Sequence, residues 1–203
     1  MKPSTVLVPL LALVVTACGD PGDDHDHDHD NEVITTVALT FTPSGGGSAL
    51  RFAWADPESD GSPVIDAIVL ADADDYDVTV AFLNELEDPA EDITEEVADE
   101  SDQHQVFFTG SSVEGPATGD NAAAVVTQAY ADKDVNGLPV GLENTFTTDA
   151  AGSGELTVTL RHMPLESGNA VKVAGVAEDV ADGGFGSIGG DNDVQVTFDL
   201  TVE

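Results

Sequence analysis

The most reactive pattern in this chain lies near its N-terminus, where His25, His27 and His29 alternate with Asp26, Asp28 and Asp30. Imidazole ligates zinc, copper and nickel, and the intervening carboxylates supply charge or a further ligand. In an extended segment the three imidazoles would point to one side about 7 Å apart, too far for one tetrahedral ion. A segment free to curl can bring two or three of them together. Residues 19–31 offer no apolar side chain to tie them to a core, and their composition predicts that freedom. Such a site would exchange its ion readily and weaken in acid, because His must be neutral to bind. The plainer alternative is a solvated spacer.

Two further sets could do chemistry. His104 and His162 both fall in the apolar register of β-patterned stretches. If those strands are neighbours, the imidazoles meet at the rim of the fold and, with a nearby acid, form a second metal pair. Two hydrogen-bonded histidines at strand ends is the preferred, plainer reading. Asp132, Asp134 and Asn136 precede Gly137, and Glu143 follows six residues later, which is calcium-loop spacing. Pro139 and Gly141 stand where an exiting helix would begin and argue against an EF-hand. An Asp/Asn/Gly hairpin turn needs the same residues and is favoured. Asp56, Glu58 and Asp60 before Gly61 repeat the spacing more weakly, without the closing acid.

No nucleophile elbow, zincin helix, P-loop or dinucleotide fingerprint is present, so no enzyme is expected. Carboxylate pairs are too abundant to be diagnostic of glycosidase chemistry. The 203 residues carry a formal charge of −35. Apart from Lys2, the only fixed cations are Arg51, Lys133, Arg161 and Lys172. Nucleic acid is therefore excluded as an expected partner, since phosphate requires Lys and Arg to displace its counterions. Charge-driven docking on anionic lipid is excluded on the same ground. The acidity suits solubility, high salt or cation binding.

The elements that must position these groups begin with a leader. Lys2 and the apolar run Val6–Val15, interrupted by Pro9, read as a signal peptide over residues 1–17, too short to span a membrane as a helix. Val15-Thr16-Ala17-Cys18 resembles the lipobox of bacterial lipoproteins. That resemblance implies a diacylglycerol on the Cys18 thiol, the only cysteine in the chain, with residues 18–31 as the tether. The same resemblance implies the outer membrane, facing the periplasm or the cell surface, because Gly19 rather than Asp after the cysteine does not resemble an inner-membrane retention signal.

Residues 32–203 read as a single acidic β domain. Val33 to Thr42 alternates strictly, Pro43–Ser48 is a loose turn, and Leu50, Phe52 and Trp54 alternate again, which predicts a hairpin. Trp54 reads as a core anchor. Val64–Ala71 predicts one apolar strand, Tyr76 to Phe82 the next. Asp88-Pro89 begins a helix by the N-cap and N1 rules, with Ile93 and Val97 as its apolar stripe, running to about Glu100. It is the only helix expected outside the leader. Strands follow at His104–Phe108 and Ala123–Tyr130. Phe146–Thr148 and Leu156–His162 read as a pair joined by a Gly/Ser turn. Val171–Val176 reads as an edge strand, Asp182–Asn192 as a mobile Gly-rich loop, and Val194 to Val202 as the closing strand. Short, regularly spaced strands predict an all-β antiparallel β-sandwich, Greek-key or immunoglobulin-like, with one short helix near residues 90–100 and a barrel as alternative.

Several stretches together, from Cys18 through the tail into Glu32–Val37, then Asn84-Glu85, Asp92–Glu96, Glu100–Phe108, Asp132–Leu142 and Leu156–His162, resemble a group of small bacterial lipoproteins with His- and Asp-rich tails. Some of these carry a type 1 periplasmic-binding-fold label, which implies an α/β architecture; the strand pattern here reads all-β. The expected function is an outer-membrane-anchored lipoprotein that binds divalent metal, zinc foremost, through its tail. Its expected partners are the membrane, through the lipid, and an outer-membrane metal-uptake receptor. The alternative is a structural or adhesive envelope module with the tail as a spacer.

Overall fold

In a computed structural model the described residues are 32–72, 74–148 and 150–203. Asn31–Glu203 forms one compact unit. Cys18 and the His25–Asp30 tail, with everything expected of them, lie outside the described residues.

Two sheets pack face to face. The first has the order β3 (Val64–Ile65), β2 (Leu50–Ala55), β1 (Thr36–Pro43), β5 (Asp75–Asn84), β10 (Glu143–Thr148), β9 (Val126–Tyr130), β8 (Val113–Glu114), with β6 (Glu91–Asp92) pairing on β5. The second has the order β4 (Ile68–Leu70), β12 (Asp191–Val202), β11 (Gly152–His162), β7 (His104–Thr109). The predicted all-β sandwich is the fold, and the α/β architecture implied by the periplasmic-binding label is not. Most pairings are antiparallel, but β4–β12 and β8–β9 are parallel, so both sheets are mixed.

Period-2 alternation builds the core, because alternate residues of a strand share one face. Leu39 and Phe41 on β1, Val78, Val80 and Phe82 on β5, Phe146 on β10, and Leu156, Val158 and Leu160 on β11 are all buried in a single cluster. Phe41 sits edge-on to Phe52, Tyr76 and Phe146, with centroids 5.6–5.9 Å apart, a geometry aromatic quadrupoles favour. The predicted first hairpin forms, with Val37 opposite Trp54 and Phe41 opposite Leu50. Trp54 is half-buried and packs on the core, as an anchor should.

Five expectations about local elements are corrected. Val64–Ala71 is two strands in different sheets, since the chain crosses the sandwich between Ile65 and Ile68. Phe146–Thr148 and Leu156–His162 do not pair with each other: β10 lies between β5 and β9, while β11 lies between β12 and β7. Alternation specifies which face is buried, not which neighbour a strand takes. The helix α1 runs over Ile93–Asp99, four residues later than expected, because Glu91–Asp92 is drawn into the ladder beside β5 and Asp92 becomes the N-cap, accepting from the Thr94 N–H at 3.0 Å. Ile93 and Val97 are buried as the stripe required, and Glu100 is the C-cap.

Residues 171–176 are not an edge strand, and a second helix, α2, covers Val176–Gly183. Its buried Val176, Ala177 and Val180 form a small second core with Phe107, Ala117 and Met163. That layer covers the face of β7 turned away from the sandwich, which is why Gln105 and Phe107 are as buried as Val106 and Phe108. Residues 182–192 are not a loose loop either. They hold the end of α2, a 3-10 turn at Phe185–Ser187 and the start of β12. Arg161 fixes them: it donates to the carbonyls of Phe185, Ile188, Gly189 and Gly190 and to Asn192 Oδ1, and its guanidinium lies 5.7 Å from the Phe185 ring centroid. Among the described residues, no helix is long and apolar enough to cross a membrane.

Candidate metal centre

His104 opens β7 and His162 closes β11, and the antiparallel register sets them directly opposite one another. Both point to the core side in the register of Val106 and Leu160. Their rings stack with centroids 4.4 Å apart and planes 9° from parallel. His104 is 1% exposed and His162 half-buried.

The turn between α1 and β7 supplies the third group. Glu100 closes the helix by donating its N–H to the Glu96 carbonyl at 2.9 Å, and its own carbonyl accepts from the Gln103 N–H at 2.8 Å. The same carbonyl stands 3.2 Å from His104 Nδ1. A carbonyl can only accept, so Nδ1 carries the ring proton and Nε2 presents its lone pair. A hydrogen bond of this kind from the other ring nitrogen commonly orients a metal-binding imidazole. One ligand atom each from Glu100, His104 and His162 lie within 4.8 Å of one another, the one such group of His, Cys, Asp or Glu among the described residues. Bonds of about 2.0–2.2 Å put two ligands of one zinc-sized ion at most about 4.4 Å apart, so modest side-chain closure suffices.

The surroundings keep His104 neutral. Burial, and after it the neighbouring His162, lowers the His104 pKa to about 4. The lone pair needed for a metal is thus available well below neutral pH. Glu32 at the head of the domain has its carboxyl raised by burial and then by Glu96, Glu100 and Glu91, which marks an acidic field around the cluster. Sequence reasoning found the two histidines but not Glu100, whose place depends on where α1 ends.

The calcium-spaced residues adopt the turn geometry. The Asp132 carboxylate accepts backbone N–H groups from Gly141, Leu142 and Glu143 at 2.7–3.1 Å. Asp134 Oδ1 accepts from the Asn136 and Leu138 N–H groups, and its Oδ2 pairs with Lys172 Nζ at 2.9 Å. Asn136 and Glu143 are exposed. Asp132 and Asp134 accept backbone N–H groups of a hairpin bridged at Lys133 and Pro139, the turn role favoured from their spacing. Asp56 does the same for its own turn, accepting from the N–H groups of Asp60 and Gly61.

Lys172 is the unexpected residue here. It is 2% exposed and also donates to the Ser101 carbonyl at 2.7 Å, tying the loop before α2 to the turn that carries Glu100. Burial alone would raise the Asp134 carboxyl. The Lys172 ammonium and the Leu138 and Asn136 amides more than offset it and hold the carboxyl below its ordinary value.

Fold and site together define a class: an all-β sandwich with a two-histidine, one-glutamate cluster at the rim. Comparison of the chain with protein-family models, curated proteins and solved structures finds no match.

Proposed function

We propose that this protein is a divalent-metal-binding lipoprotein of the bacterial cell envelope, holding a zinc-class ion at Glu100, His104 and His162. In this reading Cys18 carries the lipid anchor in the outer membrane. The His25–Asp30 tail gathers metal loosely, and the sandwich retains it for transfer to an uptake receptor. The observation that carries the reading is His104: a buried imidazole whose Nδ1 faces a carbonyl and whose Nε2 has no hydrogen-bond partner. An unpartnered buried acceptor is costly unless something fills it. Nitrogen ligands with a carboxylate favour zinc-class ions over calcium or magnesium, which prefer oxygen alone.

Isothermal titration of zinc into the full chain tests it, alongside His104→Gln and His162→Gln. The expected result is one tight site in the parent, weakened at least tenfold in either variant, with calcium binding far more weakly. Equal zinc affinity in all three proteins would end the reading and leave the envelope-module alternative.

A further inference from the structure

We infer that Asp193 is a fourth ligand of this centre, which makes it a closed cage of two imidazoles and two carboxylates. The inference rests on the metal-binding reading above and specifies its coordination.

Asp193 sits where β12 departs from regular pairing. Leu160 on β11 stands opposite Val194, and Arg161 stands opposite Asn192, so Asp193 is the extra residue of a β-bulge. A bulge re-aims the side chain it carries. Here the carboxylate is fully buried and reaches past the neighbouring strand to within 3.9 Å of His104 Nε2. Both its oxygens lack a hydrogen-bond partner, as does the nitrogen they approach. With Nδ1 protonated, Nε2 and the carboxylate are two electron-pair donors facing each other in a buried site. Only a shared cation or a shared proton makes that stable.

Neither buried cation among the described residues serves this pair. Arg161, whose charge reaches Asp193, directs its donors to carbonyls and to Asn192. Lys172 is held by Asp134 and Ser101. The 3.9 Å to His104 Nε2 exceeds the about 3.4 Å between ligands of a tetrahedral zinc, and Asp193 stands outside the 4.8 Å group, so binding must draw its carboxylate inward. Four protein ligands leave no open position for water, so the centre stores or hands over its ion and does not activate a nucleophile.

The test uses the full chain and cobalt(II) as a spectroscopic stand-in for zinc, with Asp193→Asn and His104→Gln variants. Circular dichroism confirms that each variant is folded. The parent should show the intense visible bands of four-coordinate cobalt. Asp193→Asn should lose that intensity and bind zinc at least tenfold more weakly. If Asp193→Asn matches the parent in spectrum and affinity while His104→Gln loses both, Asp193 is not a ligand and the metal-binding reading stands. If the parent binds neither metal, both fail and the pair shares a proton instead.

Discussion

Lys172 Nζ lies 2.9 Å from Asp134 Oδ2, with both side chains fully buried, in a chain whose net charge is −35. One of only four cations beyond the leader is thus used inside the protein. It joins the hairpin turn at Asp134 to the Ser101 carbonyl, next to Glu100 in the chain. Removing one member of a buried pair leaves the other charge uncompensated. Lys172→Met should therefore cost about 3–5 kcal/mol of unfolding free energy, and an Asp134→Leu/Lys172→Met double variant markedly less than the sum of the singles. Urea unfolding of the set checks this; additive losses would show that the pair is not coupled.

The same pair sets a pH dependence. Asp134 has a folded-state pKa below its ordinary 3.8, so its contribution is complete above that value and is lost as pH falls through the lower folded one. As pH falls below about 4, the parent should lose stability faster than Asp134→Asn, whose amide keeps the turn acceptor but cannot titrate. Thermal melts across that window decide it. Parallel curves would remove Asp134 from the acid transition.

Gly190 adopts φ +79° and passes so close to His162 that a Cβ there would overlap the His162 carbonyl. Both the left-handed backbone and the overlap oppose any side chain. Gly190→Ala should cost about 1–3 kcal/mol and weaken zinc binding through His162. An unchanged denaturation midpoint would contradict this.

Arg161 holds residues 185–192 through the fork geometry of its guanidinium, which a lysine cannot reproduce. Arg161→Lys should cost about 1.5–3 kcal/mol and expose the Gly-rich stretch at 183–190 to proteolysis. The position of the first cut, read by mass spectrometry, checks it; resistance equal to the parent's counts against the anchoring role.

The tail and the rim should separate in a titration. Replacing His25, His27 and His29 with Asn should remove weak additional zinc equivalents and leave the tight site unchanged. Loss of the tight site in that variant would move the principal ligands to the tail.

The sandwich was legible because burial on a pleated strand repeats every second residue, and Val37 to Phe41 or Val194 to Val202 can satisfy that repeat in only one way. The helix stripe of Ile93 and Val97 was legible for the same reason at period 3.6–4. The α2 helix was missed because its stripe is only Val176, Ala177 and Val180 between glycines, too short to outweigh a strand pattern beginning at Val171. Its stability comes from packing against Phe107, a contact no local window contains.

By itself, then, the sequence determined the fold class, the acidic character, the turn chemistry of Asp132 and Asp134, and two histidines in the buried register. Those are local properties, set by side-chain type and period. The tertiary structure alone decided that His104 faces His162, that Glu100 closes the helix beside them, and that a bulge turns Asp193 toward the same point. Strand order and register are settled by how two whole sheets pack, and a one-residue slip would send each of these groups to the opposite face.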